Sequence, residues 1–129
     1  MKVCIDTNAY SDLRKGNRRL QELLDACDEI LVPAATYAEL MYGFLRSSRF
    51  AENESLLNEF LQEDGITFQP VTQSIAERWG YVKATLMKNG TPIPENDIWI
   101  AATALESGAR VISYDHHFDF VGGLIRLAP

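Results

Sequence analysis

Apolar residues along the chain follow two spacings in alternation. Short runs rich in apolar and β-branched residues, at residues 2–5, 29–32, 66–68, 110–113 and a brief 124–127, read as strands. Between them apolar residues recur at i, i+3, i+4 and i+7, the spacing of one helix face. One such face is Leu20, Leu23, Leu24 and Cys27; a second is Leu56, Leu57, Phe60 and Leu61. Ile75, Trp79, Val82 and Leu86 form a third, and Ile98, Ala101, Ala102 and Leu105 a fourth. The helix after the second strand sets Tyr37, Met41 and Leu45 in one row and Leu40 and Phe44 in the next, with Pro33 in its first turn, where a missing N–H is harmless. Gly65, Asn89-Gly90 and Gly108 stop helices, and Pro70 ends the third strand. Thr72 or Ser74 caps the next helix, with Ser74 and Glu77 spaced as a capping box.

Strands that alternate with helices predict right-handed crossovers and a sheet covered on both faces. The expected fold is a three-layer α/β/α domain spanning residues 1–129, around a central, mostly parallel sheet of about four to five strands. Ligands of such sheets sit beyond the carboxyl ends of the strands.

Composition narrows the class. The 129 residues are 47% hydrophobic, enough for a core without metal or disulfide staples, and too apolar for disorder. The two cysteines, Cys4 and Cys27, sit in apolar patterns and read as small core residues of a protein in a reducing compartment. No apolar stretch approaches the roughly 20 residues of a membrane span, and the start lacks the pattern of a signal peptide. A cytoplasmic protein is expected. With 12 basic against 18 acidic residues, bulk charge does not hold nucleic acid. The bases nevertheless cluster, at Arg14, Lys15, Arg18 and Arg19, and again at Arg46 and Arg49. Each cluster taken alone reads first as a solvated helix face.

The chemistry concentrates in carboxylates at the strand ends. Asp6 directly follows the first strand, and Asp115 follows the fourth. Asp97 opens the apolar helix of Ile98 and Ala101, and Glu39 lies in the early turns of the helix after the second strand. Plainer roles exist for some of them: Asp6 and Asp97 as helix caps, Asp115 as a turn former. Glu39 has no such role, because an acid among apolar helix positions is out of pattern. Four acids at one end of one sheet point to a shared purpose. Like charges in one crevice repel unless a cation neutralises them, and oxygen donors select Mg²⁺ or Mn²⁺ over zinc. Carboxylates holding such ions are the usual apparatus for attack of water on a phosphodiester.

Asp-Thr-Asn at 6–8, Ala-Glu-Leu-Met-Tyr-Gly at 38–43, Asn-Asp-Ile-Trp-Ile-Ala-Ala at 96–102 and Ser-Tyr-Asp-His-His-Phe at 113–118 resemble the four acidic blocks of PIN-domain nucleases. Their order and spacing most resemble the VapC-type toxins of toxin–antitoxin pairs, over essentially the whole chain. The resemblance implies a PIN-like fold and a metal-dependent endoribonuclease using Mg²⁺ or Mn²⁺, with Asp6, Glu39, Asp97 and Asp115 as the metal-binding acids and Asp119 as the alternative fourth. It implies a supporting role for Thr7 or Asn8, hydrogen-bonding within the first block. It also implies a homodimer held in check by a small VapB-like antitoxin, whose basic residues reach the acids and which would dock on apolar residues such as Tyr37, Met41 and Phe44. Arg14, Lys15, Arg18 and Arg19 would line the RNA backbone. His116 and His117 are adjacent, so both do not point into one site, and a surface or supporting role is expected for them. Trp79 and Trp99 are expected to pack in the core.

Two other enzyme classes fit less well. A phosphatase of the haloacid dehalogenase type needs a second Asp two positions after the first, where Asn8 stands. A receiver domain needs paired acids at the first strand end and a Lys after the last strand; neither is present. A PIN-like module that binds RNA or protein without cutting is the remaining alternative.

Overall fold

The computed structural model describes residues Met1–Pro129. Five parallel strands form one sheet: β1 (Lys2–Ile5), β2 (Glu29–Pro33), β3 (Ile66–Gln69), β4 (Arg110–Ile112) and β5 (Arg126–Leu127), in the order β3-β2-β1-β4-β5. Helices α1 (Thr7–Arg14) and α2 (Arg18–Asp25) connect β1 to β2, and α3 (Ala34–Leu45) and α4 (Phe50–Gln62) connect β2 to β3. Helices α5 (Gln73–Lys88) and α6 (Glu95–Ser107) lead to β4, and a short 3₁₀ helix, His116–Phe120, precedes β5.

Alternation along the strands divides the interior in two. Val3, Ile5, Ile30, Val32 and Ile112 face one layer, with Leu13, Leu20, Leu57 and Phe60 from the helices. Cys4, Leu31 and Val111 face the other, with Val82, Leu86, Ile98 and Ala101. Burial pushes the Cys4 thiol up to about 12, so it behaves as the small apolar residue its setting predicts.

The chain winds outward from β1 in both directions. Towards β2 and β3 it builds one half of the sheet; it then returns to place β4 on the other side of β1. The carboxyl ends of β1 and β4 therefore flank the switch point, where parallel sheets open a crevice. Cys4 stands opposite Val111 and Ile5 opposite Ile112, so Asp6 and Ser113 leave the sheet side by side. Helix α3 touches α1, α4 and α6 and closes one side of this crevice. Its start is tied down by Thr36, whose buried hydroxyl donates to the Ile5 carbonyl at 2.9 Å.

Several local expectations are corrected. Helix α1 is an addition that no apolar repeat announces: it carries only Ala9, Tyr10 and Leu13 inward and is started by the Asp6 cap. Pro33 is the last residue of β2 and precedes α3 rather than occupying its first turn. Thr72 caps α5, accepting from Ile75 N–H at 3.2 Å, so Ser74 is inside the helix and makes no capping box. Leu45 is 67% exposed: of the two predicted rows on α3, only the Leu40 side reaches the core fully. Trp79 and Trp99 stack on each other at 5.3 Å, half-buried at the edge of the α5–α6 layer. No helix is long and apolar enough to cross a membrane.

The Thr36 tether yields a first prediction. Thr36→Val keeps the shape but removes the donor, so denaturant unfolding should register a loss of about 1–2 kcal/mol. A loss below a few tenths would mean the tether is not what anchors α3.

Candidate active site

Asp6 is only 6% exposed and is fixed by two donors. The Ala9 N–H bonds one carboxylate oxygen at 2.9 Å, as at any Asp-capped helix, and the Ser113 hydroxyl bonds the other. Ser113, fully buried, also accepts from the Asp115 N–H at 2.9 Å. One hydroxyl therefore links the acids of β1 and β4. Thr7 and Asn8 do not supply the expected bonds: Asn8 is exposed, and the first block is oriented by Ala9 and Ser113 instead.

Asp97 lies in the first turn of α6 but is not its cap, since Pro94 holds that position. The extended Ile93-Pro94 segment, with Ile93 buried, aims this turn at the crevice. Asp115 caps the 3₁₀ helix, accepting from the His117 N–H at 2.9 Å through one oxygen. The turn-forming role expected of Asp115 is present, and its other oxygen, Oδ2, stays turned towards His117 and the crevice. Glu39, in the second turn of α3, is half-buried beside Asp97 and Asp6.

The electrostatics follow from this crowding. Burial pushes the Asp6 carboxyl above the ordinary range; the Ser113 and Ala9 bonds oppose this, and the charges of Asp97 and Asp115 add to it. Asp97 is raised by burial and by Asp115, against the pull of His117. Glu39 is raised by burial, then by Asp97 and Asp6, with the Thr7 hydroxyl beside it pulling the other way. Thr7 Oγ1 is itself buried and completes no hydrogen bond. Crowded acids and an unpartnered hydroxyl suit a hard divalent cation with its waters, and no thiol stands among the donors.

His117 is the residue the sequence underweighted. Its Nδ1 lies 3.3 Å from Asp97 Oδ2 and 3.0 Å from Asp115 Oδ2. These three residues offer donor atoms within 4.8 Å of one another, a spacing one metal ion can span. His116 points elsewhere, to Asp119 at 3.0 Å, as adjacent residues should. Asp119 is bound by Arg126 through two contacts of 2.9 and 3.1 Å, which hold its carboxyl down at about 2. It is not drawn into the crevice, and Asp115 is the acid found there. The signal for His117 was present in sequence only as its distance of two positions from Asp115, which a 3₁₀ turn converts into contact.

The structure separates the basic cluster. Arg14 lies over the Tyr10 and Phe60 rings at 5.4 and 5.6 Å, and lines a cavity with Ile30 and Ile66, at the opposite end of the sheet from the acids. Lys15, Arg18 and Arg19 are exposed around the α1–α2 turn. Arg19 acts on Tyr114, whose hydroxyl donates to Asp12, so this turn adjoins the strand β4 end.

The profile of the PIN domain matches residues 3–124. A ribonuclease VapC2 of Haemophilus influenzae is 33% identical over 115 residues, covering 88% of this chain and 86% of that protein. Among solved structures, VapBC-1 from nontypeable Haemophilus influenzae superposes with a TM-score of 0.88 at 26% identity, over 99% of this chain and 98% of that one. VapBC-5 from Mycobacterium tuberculosis, a member of the VapBC family of toxin–antitoxin systems, gives 0.73 at 24% identity over 98% and 96%, a likeness of fold.

A carboxyl whose pKa is raised by folding stabilises the folded chain fully below its unfolded pKa, and that contribution is lost as pH rises through the folded value. Asp6 is such a group. In metal-free protein at pH 8, Asp6→Asn should be more stable than wild type by about 1 kcal/mol, a gain that vanishes below about pH 4. A wild type that outlasts the variant at pH 8 without metal contradicts this balance of charges.

Proposed function

The chain belongs to the PIN-domain family, and from that premise we propose that it is a metal-dependent endoribonuclease, acting as the toxin of a toxin–antitoxin pair. The observation that carries this reading is the meeting of Asp6, Glu39, Asp97 and Asp115, from four separate elements, beside the switch point of the sheet.

On this reading the four acids hold Mg²⁺ or Mn²⁺. When bound, such an ion lowers the pKa of a water and neutralises charge on phosphoryl oxygens. The chain's own part is positioning. The Ser113 and Ala9 donors lock Asp6 in one orientation, and the His117 N–H does the same for Asp115. Glu39 stands on α3, tethered through Thr36, so its reach into the crevice is fixed by the sheet. The buried Thr7 hydroxyl stands beside Glu39, where it lowers that acid's pKa and is placed to orient the carboxylate or a water next to it. Lys15, Arg18 and Arg19 are the bases that could steer an RNA backbone towards the crevice, by contacts that are salt-dependent and insensitive to sequence. Arg14, stacked on aromatic rings at the far end, would act at most at long range.

A protein partner completes the proposal. Two of the solved relatives are VapBC-1 and VapBC-5, the latter a member of the VapBC family of toxin–antitoxin systems. Exposed Tyr42 and Leu45 on α3, at 63% and 67%, provide an apolar landing surface. Tyr37, Met41 and Phe44 are half-buried and provide less of it. An arginine from a VapB-like antitoxin would form charge-assisted hydrogen bonds with the acids. A homodimer and a toxin–antitoxin hetero-oligomer are the expected assemblies.

Cleavage of single-stranded RNA in Mg²⁺ or Mn²⁺ should stop in excess EDTA and fall by about a hundredfold or more in Asp97→Asn, with the circular dichroism unchanged. Undiminished cleavage in EDTA rejects the metal mechanism. Expression alone should arrest growth, and co-expression of a small antitoxin encoded beside it should relieve the arrest and give a co-purifying complex. A folded, metal-loaded protein that the host tolerates fully would reject the toxin role.

A further inference from the structure

We propose that His117 is a nitrogen donor to the ion held by Asp97 and Asp115, and that it tilts the site from magnesium towards manganese. The inference rests on the metal-dependent reading above and concerns which ion the site selects.

The 3₁₀ helix after Asp115 is what delivers the ring. Phe118, fully buried, pins this turn to the α5–α6 layer. The Asp115 carboxylate accepts the His117 N–H through Oδ1, which fixes the backbone of residue 117 relative to that carboxylate. The ring is then brought back so that Nδ1 stands 3.0 Å from Asp115 Oδ2 and 3.3 Å from Asp97 Oδ2. His116 is turned the other way, occupied by Asp119 and Arg126. Neighbouring donors on an octahedral ion with bonds of about 2.1 Å stand about 3 Å apart. The two nitrogen-to-oxygen separations therefore match neighbouring positions of one coordination shell, and all three donor atoms lie within 4.8 Å of one another. The same separations suit an Nδ1–H shared between two carboxylates, and experiment distinguishes the two.

The chemical consequence is selectivity. Magnesium prefers oxygen donors and gives up its waters reluctantly, whereas imidazole nitrogen suits transition ions. Four carboxylates alone would leave Mg²⁺ and Mn²⁺ close competitors. One imidazole among them favours Mn²⁺.

Pulsed electron-spin-echo spectra of Mn²⁺ bound to the full chain read the donor directly. Wild type should show modulation from a directly bound nitrogen, and His117→Ala should not. The ratio of the Mg²⁺ to the Mn²⁺ dissociation constant, measured by competition, should fall on the order of tenfold in His117→Ala. His117→Asp, which replaces nitrogen by oxygen, should keep Mn²⁺ bound without the modulation and move the ratio further towards Mg²⁺. His116→Ala should match wild type in both readouts. Mn²⁺ bound to wild type without nitrogen modulation, or modulation that persists in His117→Ala, overturns the assignment and leaves the metal-dependent reading standing. Failure of wild type to bind Mn²⁺ at millimolar concentration overturns that reading as well.

Discussion

The parallel pairing of β1 with β4 is the constraint on which the rest of the molecule depends. Setting Ile5 against Ile112 releases Asp6 and Ser113 from the sheet as neighbours, although they lie over a hundred positions apart. The Ser113 hydroxyl then joins Asp6 to the turn that carries Asp115 and His117. A shift of one residue in this register would send the whole set of side chains to opposite faces. Apolar packing enforces the register: Val3, Ile5 and Ile112 are fully buried in one layer, Cys4 and Val111 in the other. The two layers thus hold an arrangement that neither gains from directly.

What they hold is electrostatically unfavourable in isolation. Asp6, Glu39 and Asp97 are all pushed above the carboxylate range, chiefly by burial and then by each other. Elsewhere the chain treats its acids differently. Asp119 and Asp12 have hydrogen-bond donors of their own and lie below that range. The contrast marks the crevice as a place where charge is concentrated instead of relieved, which is the property expected of a functional site. A divalent cation reverses the sign of the problem, converting mutual repulsion into a reason for the acids to converge.

Much of this was legible in the sequence, for physical reasons that differ by element. The strands were, because buried parallel strands are short continuous apolar runs, and β1 falls where the run of residues 2–5 puts it. Helices α4, α5 and α6 were, since each buries a repeating face. Helix α1 was not: an eight-residue helix begun by a capping aspartate has too few turns to show a period. The 3₁₀ turn was not, because its only anchor is Phe118 and its contacts are polar. That omission mattered most, since the same turn brings His117 to the acids, takes Asp119 away from them and makes Ser113 a bridge. Asp6 and Asp115 could be placed from the strands they follow, and Asp97 and Glu39 from their positions on helices; what holds each one still could not, because Ser113 and Thr36 look like ordinary small polar residues until the register places them.

The central claim is that these elements make one cation site at the carboxyl end of the sheet. Amide NMR spectra recorded with substoichiometric Mn²⁺ test it most directly, since the ion broadens signals by proximity alone. The account predicts that Thr7, Glu39, Ile98 and His117 lose their signals first, while Ile30 and Ile66, at the other end of the strands, persist. Broadening centred on the acid-rich surface of α4, around Glu54 and Glu59, or spread evenly over the chain, would contradict it.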